Sequence, residues 1–173
     1  PQLPTDRSWI MYAGGIGDVQ ALDHAVRALA LVPDLDDLGL AFVGDGVARS
    51  GLEALAAELG LEDRVRFLGS RPMEQMPALM AESMAQLVSL KDLPLFSGTI
   101  PSKIQASMAC GAPVVCAVAG DAAQIIREAE AGLVVPPESA EALAGAFREL
   151  VALGREGRER LGRNGRRAYE TQL

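Results

Sequence analysis

The chain has 173 residues, of which 49% are hydrophobic, enough for one domain with a sizeable core. Its formal net charge of −7 excludes a protein that neutralises a run of nucleic-acid phosphates, but it leaves room for a small anionic ligand. Since no apolar run approaches the roughly twenty residues of a membrane span, we expect a soluble, cytoplasmic domain.

Apolar runs alternate with helical patterns along the chain. The apolar runs are continuous rather than alternating, which predicts strands buried on both faces of a sheet. The predicted strands span residues 9–13, 38–43, 65–68, 85–90, 114–118 and 132–135. The predicted helices span residues 18–31, 47–59, 74–82, 103–109, 120–130, 139–153 and 156–169. Because a helix separates each pair of strands, the sequence predicts an α/β fold, with a six-stranded parallel sheet and helices on both faces.

Four of these strands are followed by polar or glycine-rich segments, namely residues 14–17, 44–46, 69–71 and 97–102. The carboxyl ends of parallel strands share one edge of the sheet, and ligands of such sheets bind there. We therefore expect these four segments to converge on a single site.

The turn after the first strand contains Gly14, Gly15 and Gly17. Its spacing matches neither the dinucleotide-binding fingerprint nor the Walker loop, so alone it predicts a tight strand-to-helix turn and leaves phosphate contact open. The Gly-Asp-Gly sequence at residues 44–46 is better explained as a structural turn.

The strongest signal lies in residues 91–115, where a polar loop leads into a predicted helix. Pro101 at the helix entrance and Ser102 as a cap fit a helix start whose free N–H groups and dipole suit a phosphate. Lys103 lies one turn into this helix, where the dipole alone would favour an acid. The chain has only two lysines, Lys91 and Lys103, against fourteen arginines. We predict that Lys103 binds an anion, whereas chance and solvation explain Lys91 equally well.

Two cysteines, Cys110 and Cys116, flank a Gly-Ala-Pro turn, and the only histidine is His24. None has a partner at metal-ligand spacing, so we expect buried free thiols, a histidine at the surface or core edge, and no metal site. No acid pair or nucleophile–base set can be placed together, and the sequence therefore predicts no catalytic residue.

Residues 154–173 form a charged C-terminal segment with six arginines and three glutamates, a local charge of +3. Pairs of Glu and Arg at helical spacing favour a solvated helix face. The alternative is a basic patch that contacts an anionic membrane surface, as in a protein peripheral on the inner membrane face.

Read together, four segments resemble the C-terminal, nucleotide-sugar-binding domain of the group 1 retaining glycosyltransferases with the GT-B fold. The resemblance covers residues 9–153, and the form PLF…IPSKIQASMA at residues 94–109 resembles a branch that makes bacterial surface polysaccharides and modified-sugar lipid-linked precursors. The four segments read YAGGIGDVQALDHAVRAL, LAFVGDGVARSGLEALAAELGLEDRVRFLG, PSK before MACGAPVV, and AGLVVPPESAEAL.

The resemblance implies an enzyme of two Rossmann-like domains, each a three-layer sandwich, with the active site between them. Residues 1–173 would be one donor-binding domain, and the N-terminal domain that carries the acceptor site would lie outside this chain. It also implies transfer without a metal ion or other cofactor, because N–H groups and basic side chains stabilise the leaving nucleotide diphosphate.

The same resemblance implies which residues bind the nucleotide sugar. The glycine turn would lie against the diphosphate, residues 69–71 with Met76 would line the base pocket, and residues 97–103 would cradle the phosphates. The implied residues are Gly14, Gly15, Gly17, Gly69, Ser70, Arg71, Met76, Ser97, Gly98, Thr99, Ile100, Pro101, Ser102 and Lys103.

The chain departs from the family pattern at four positions. An Arg and a Lys that many members use to grip the diphosphate correspond here to Gly15 and Gln20, which leaves Lys103 as the nearest cation. Two glutamates, of which the second binds the ribose hydroxyls, correspond to Gly98 and Ala106. The departures indicate either a branch with its own donor pocket or a degenerate domain that binds weakly or not at all.

We therefore expect the donor half of a hexosyltransferase that moves a sugar from a nucleotide diphosphate to a glycan or lipid-linked acceptor. The full-length protein would be the enzyme, and the isolated domain would be inactive. Two alternatives stay open: a non-catalytic nucleotide-sugar-binding or docking domain, and a nucleotide-sugar epimerase of the same architecture.

Overall fold

The structure is a computed structural model that describes residues 2–172. Its strands are β1 Ser8–Ala13, β2 Leu38–Val43, β3 Val65–Phe67, β4 Ala85–Ser89, β5 Val114–Ala117 and β6 Gly132–Val134. Its α-helices are α1 Asp23–Ala30, α2 Arg49–Glu58, α3 Met76–Glu82, α4 Ser102–Ala109, α5 Asp121–Ala129, α6 Ala140–Ala152 and α7 Gly154–Gln172. Short 3-10 helices occur at Asp18–Gln20, Met73–Gln75 and Pro94–Phe96.

The six strands form one sheet in the order β3-β2-β1-β4-β5-β6. Every neighbouring pair is parallel, from the central β1–β4 pair to both edges. The strand order reverses between β1 and β4, because the chain builds outward from β1 in one direction and then returns to build outward from β4. The predicted α/β fold with a six-stranded parallel sheet is confirmed.

Helices cover both faces of the sheet, which explains the continuous apolar strands. On β1, Ile10 and Tyr12 pack into a cluster with α1, α2 and α6. Trp9 and Met11, which point the other way, pack with α3. A third cluster joins α4, α5 and the end of α7 to the strands β4 and β5. Both side-chain sets of the four inner strands β2, β1, β4 and β5 are therefore almost entirely buried, whereas the edge strands β3 and β6 are partly exposed.

The C-terminal helix α7 is both a solvated and a packed element. The ion pairs Arg155–Glu159 and Arg166–Glu170 lie on its polar side, at the helical spacing that the sequence predicted. Its other side packs against α4, where the Cβ of any other residue at Gly162 would lie 2.1 Å from the carbonyl oxygen of Gly111. A glycine is required at this crossing because the two backbones touch.

The two cysteines differ from the predicted pair of buried thiols. Cys116 is buried in β5, and burial raises its pKa to about 11. The prediction for Cys110 is wrong, because this residue lies at the C-terminal end of α4 and its thiol is exposed. Both thiols are free, and His24 is half-buried on α1 as predicted.

Candidate functional site

A cavity of about 530 Å³ opens at the carboxyl edge of the sheet, beside the central pair β1 and β4, between which the strand order reverses. Ligands of open parallel sheets bind at this reversal of strand order. The cavity is bounded by the turns after β1, β2 and β3, by α3, by β4 and by the first half of α4. Its polar lining residues are Asp45, Ser70, Arg71, Gln86, Ser102, Lys103 and Ser107.

The turns after the first three strands are tied together by their backbones. The Gly14 amide donates to the Val43 carbonyl over 2.9 Å, and the Gly44 amide donates to the Gly69 carbonyl over 2.9 Å. At Gly44, where φ is +146°, an added Cβ would lie 1.9 Å from the Gly14 carbonyl oxygen. The segment at 44–46 is thus a structural turn, as predicted, and it fixes the position of the Gly14 turn at the cavity.

Lys103 lies at this turn without a counter-ion. Its Nζ lies 5.2 Å from the ring centroid of Tyr12, and its Cε lies 2.5 Å from where a Cβ on Gly14 would be. Within residues 2–172 its ammonium forms neither an ion pair nor a hydrogen bond with another side chain or carbonyl. Burial lowers the pKa of Lys103, because no acid stabilises the charge that the protein removes from water. A half-buried cation without an acid is suited to an anionic ligand.

Tyr12 stabilises the same glycine turn with a hydrogen bond. Its hydroxyl donates a 2.6 Å hydrogen bond to the Gly15 carbonyl oxygen. Burial raises the pKa of Tyr12 to about 12, so the phenol stays protonated and neutral at physiological pH. Tyr12 therefore offers Lys103 an aromatic face rather than a second charge.

The start of α4 also points donors at the cavity. Pro101 occupies the cap position with an extended backbone and the helix begins at Ser102, so the prediction of Ser102 as the cap is wrong. No side chain caps this helix, and the Ile104 amide donates to the Pro101 carbonyl. Among the described residues the amides of Ser102 and Lys103 have no acceptor, and both residues line the cavity. Two free N–H groups at the positive end of a helix dipole suit a phosphate.

The structure brings half of the residues implied for nucleotide-sugar binding to the cavity. These are Gly14, Gly15, Ser70, Arg71, Met76, Ser102 and Lys103. The other seven lie outside its lining: Gly17, Gly69, Ser97, Gly98, Thr99, Ile100 and Pro101.

The loop at 97–100 is held away from the lining by the next helix. The Asp121 amide at the start of α5 donates to the Ser97 carbonyl over 2.9 Å, and the Thr99 amide donates back to Phe96. Gly17 is engaged within its own turn, since its amide donates to the Gln20 side chain over 2.9 Å. These segments lie beside the cavity rather than in it.

Several lining residues were missed by the sequence reasoning. Met73 and Met80 come from the segment around α3, Ser107 comes from α4, and Gln86 lies in β4. Gln86 is the one with a signal in the sequence, because it is a polar residue inside an apolar strand. Ala106, where the family pattern has a carboxylate, also lines the cavity.

Neither a metal cluster nor a membrane span is found in the described part of the chain. No group of three or more His, Cys, Asp or Glu side chains in residues 2–172 is arranged to hold a metal ion. No helix in the same range is both long and apolar enough to cross a bilayer.

The strand order, together with a cavity at the point where it reverses, defines a Rossmann-like α/β domain, a class of fold whose ligands bind at the carboxyl edge of the sheet. The chain belongs to the glycosyl transferases group 1 family, whose model matches residues 1–168. This confirms the resemblance seen in the sequence.

Two curated relatives illustrate the match. The chain is 30% identical over 154 residues to the putative colanic acid biosynthesis glycosyl transferase WcaI of Escherichia coli, which covers 87% of this chain and 37% of that protein. It is 34% identical over 143 residues to the D-inositol 3-phosphate glycosyltransferase of Thermomonospora curvata, which covers 77% of this chain and 32% of that protein. The chain thus spans about a third of the length of these relatives.

Solved structures show the same fold. Sucrose-phosphate synthase from Thermosynechococcus elongatus superposes with a TM-score of 0.83 at 28% identity, over 97% of this chain and 42% of that one. Anabaena HepE, whose structure contains UDP and glucose, superposes with a TM-score of 0.84 at 22% identity, over 97% of this chain and 45% of that one.

Proposed function

We propose that this chain is the donor-binding half of a retaining glycosyltransferase of the GT-B type. The full-length protein would move a hexose from a nucleotide diphosphate to a glycan or lipid-linked acceptor. Membership of the group 1 family supports this proposal, as do relatives named as glycosyltransferases. The observation that carries it is the Lys103 ammonium, which is half-buried in the cavity lining without an acid partner.

The diphosphate of the donor would lie between the Gly14 turn and the start of α4. There the Ser102 and Lys103 amides would donate to phosphate oxygens, and the Lys103 ammonium would offset their charge. As the sugar leaves, negative charge grows on the diphosphate, and these fixed donors would stabilise it without a metal ion. Ser70, Arg71 and Met76 line the part of the cavity that would receive the nucleoside.

The remaining implied residues lie where the donor sugar or a second domain would reach them. Gly17, Gly69 and residues 97–101 lie outside the cavity lining. The same edge carries large exposed apolar side chains after three successive strands: Val47 at 85%, Met73 at 81% and Leu95 at 79% exposed. We propose that an acceptor-binding domain outside this chain covers these side chains and closes the active site.

The charged face of α7 would give the protein a peripheral contact with the inner, anionic membrane surface. Arg160, Arg163 and Arg167 are exposed, and within residues 2–172 they form no ion pair. A lipid-linked acceptor would bring the active site to that surface, where arginines are attracted to acidic headgroups.

A second candidate is a non-catalytic domain that binds a nucleotide sugar or docks a true transferase. It is favoured by Ala106 in the cavity and Gly98 beside it, where the family pattern has glutamates. An epimerase of the same architecture is the other alternative. The full-length protein with a labelled nucleotide sugar separates the three, by transfer to an acceptor, inversion at one sugar carbon, or neither.

Calorimetric titration with UDP, GDP and ADP, in EDTA and then with Mg²⁺, tests the binding claim. Removal of one charge-assisted contact in Lys103→Ala should weaken binding by about 10- to 100-fold. The matched control is Lys91→Ala, since Lys91 lies outside the cavity lining. Absence of heat with all three nucleotides would remove the proposal, unchanged affinity in Lys103→Ala would remove Lys103, and a requirement for Mg²⁺ would remove metal-independent binding.

A further inference from the structure

The lining of the cavity includes one buried amide, that of Gln86. Gln86 lies on β4 between β1 and β5, in register with Met11 and Val114. It is 3% exposed and lines the cavity together with Met80 and Ser107. A polar side chain at this depth is stable only when its hydrogen-bonding atoms have partners.

A short chain of hydrogen bonds fixes which way this amide points. The Ser83 hydroxyl donates to the Met80 carbonyl oxygen over 2.8 Å. Its oxygen is then free to accept, and Gln86 Nε2 donates to it over 2.6 Å. Because Ser83 has already used its proton, only the amide nitrogen of Gln86 fits on that side. The amide oxygen, Oε1, is turned away from Ser83.

That oxygen has no donor among residues 2–172, although the rest of the side chain is buried. At the same time, no fully buried side-chain polar atom in the described residues lacks a partner. Oε1 is therefore not fully buried, and Gln86 lines the cavity. The result is an oriented acceptor on a residue that lines the cavity, with no donor among residues 2–172.

The surroundings narrow the kind of ligand group that this acceptor suits. Met73, Met76 and Met80 line the same cavity, and thioether groups pack well against flat rings. The hydroxyl of Ser107 donates to the Lys103 carbonyl over 2.6 Å, so its proton is already used. Lys103 is half-buried, whereas Met80 and Gln86 are buried in the same lining. A nucleoside diphosphate with its phosphates at Lys103 would therefore place its base toward Met80 and Gln86.

We propose that Gln86 is a specificity-determining residue whose Oε1 accepts a hydrogen bond from a ring N–H of the donor's base. This inference rests on the proposed function, since it needs a nucleotide diphosphate in the cavity. Uracil and guanine have a ring N–H beside carbonyl groups, whereas adenine has an unprotonated ring nitrogen there, which would repel Oε1, and can donate only through its exocyclic amino group. The cavity should therefore select a uracil or guanine nucleotide over an adenine nucleotide.

Calorimetry with matched ligand pairs tests this assignment. The pairs are UDP with N3-methyl-UDP and GDP with N1-methyl-GDP, in which a methyl group replaces the ring proton. For the pair whose parent binds the wild-type domain, methylation should weaken binding by about tenfold or more, as expected for a donor–acceptor pair turned into a clash. In Gln86→Met, of similar length and apolar, the parent nucleotide should bind more weakly and the two members of the pair should become nearly equal.

Two further variants distinguish recognition of the base by Gln86 from a purely structural role of this residue. Gln124→Met makes the same change on the exposed face of α5 and should keep the wild-type selectivity. Ser83→Ala retains Gln86 but frees its amide to rotate, so it should reduce the selectivity by less than Gln86→Met does. Thermal unfolding of each variant reports folding, and Ser83→Ala serves as the test if Gln86→Met unfolds.

The outcomes distinguish failure of the proposed function from failure of the role assigned to Gln86. If none of the nucleotides binds the wild-type domain, the proposed function is wrong. If UDP or GDP binds but methylation has no effect, or if Gln86→Met weakens both members of a pair equally, the function stands and the role of Gln86 is wrong. Binding of ADP alone would also overturn the assignment to Gln86.

Discussion

Lys103 is a cation that the fold partly removes from water without giving it an acid. Its ammonium lies over the ring of Tyr12, and its stem crosses Gly14, where φ is +141° and a Cβ would collide with it. The rarity of lysine in the sequence pointed to this residue. The supporting aromatic ring and glycine could not be predicted, because they belong to β1 and meet α4 only in the folded sheet.

The pH dependence of nucleotide binding should report Lys103 directly. Burial lowers the pKa of this group below 10.5, so the folded protein gives up the proton more easily than the unfolded chain. Below the lowered pKa, Lys103 is charged in the folded protein, and burial of this charge reduces the free energy of unfolding. This reduction becomes smaller as the pH rises toward 10.5. A bound diphosphate needs the charged form, so affinity should fall as the pH rises through the pKa of Lys103.

Calorimetry between pH 7.5 and 10 checks this expectation, with buffers of different ionisation enthalpy to count the protons taken up on binding. Tyr12 and Cys116, whose pKa values are raised to about 12 and about 11, stay protonated in this range. The control is Lys103→Arg, because a guanidinium keeps its charge over this range. The affinity of this variant should fall only as uracil or guanine loses its ring proton toward pH 10, and the affinity of the wild type should fall more steeply. Parallel profiles for the wild type and Lys103→Arg would contradict the assignment.

At the scale of single residues, the sequence identified the chemistry better than the geometry. Gly14, Arg71 and Lys103 were expected in the site and line the cavity. Gln86 was not expected, because a single polar residue in an apolar run does not reveal whether its side chain faces a helix or a void. The orientation of its amide depends on Ser83, which is set by the end of α3 and not by any motif.

At the scale of elements, the strand bounds were predictable because the inner strands are buried on both faces and each strand is soon followed by a glycine, a proline or a charged residue. All six predicted strands match the observed ones to within one residue at each end. The loop before α4 was harder to predict. It contains a 3-10 turn at Pro94–Phe96, and the carbonyl of Ser97 accepts a hydrogen bond from the start of α5. The contact with α5 is a tertiary contact that no local pattern predicts.

The packing of α7 on α4 gives a prediction about stability. At Gly162 an added Cβ would lie 2.1 Å from the carbonyl oxygen of Gly111, a backbone atom that cannot move alone. Gly162→Ala should therefore shift α7 and lower the free energy of unfolding by about 1–3 kcal/mol. The measurement is chemical or thermal denaturation of the variant beside the wild type.

A second helix supplies the matched control for this substitution. Gly145 lies in α6 with no heavy atom within 4 Å of an added Cβ. Gly145→Ala should raise the free energy of unfolding by up to about 1 kcal/mol, because alanine is the better helix former. Equal stability of the two variants would show that the close approach of α7 to α4 is not a constraint.

At the scale of the whole molecule, the spacing of strands and helices was enough to predict a parallel sheet with two covered faces. The strand order was not predicted, because crossover handedness and spacing allow more than one arrangement of six strands. The point where the order reverses decides which loops meet. For this reason the turns after β1 to β3 share the cavity with α4, while the 97–100 loop lies beside it.

The distribution of charge over the molecule sets an upper limit on membrane binding. The chain carries a net charge of −7, whereas Arg160, Arg163 and Arg167 fall on one face of α7 by their helical spacing. Each arginine near an anionic bilayer contributes about 1 kcal/mol, so three contribute about 3 kcal/mol, weaker than a millimolar affinity. The negative remainder of the molecule should oppose binding further, and α7 would then orient the protein rather than anchor it.

Cosedimentation with vesicles checks this weak, oriented contact. Phosphatidylserine vesicles at low salt should retain a fraction of the protein that neutral phosphatidylcholine vesicles do not, and physiological salt should reduce it, because screening acts over about 10 Å or less. The triple variant Arg160→Gln, Arg163→Gln and Arg167→Gln should abolish this retention. Arg155→Gln should preserve it, since Arg155 is paired with Glu159 and does not lie on the face formed by the three substituted arginines. Equal retention on both vesicle types, or by the triple variant, would show that the arginine face is only a solvated surface.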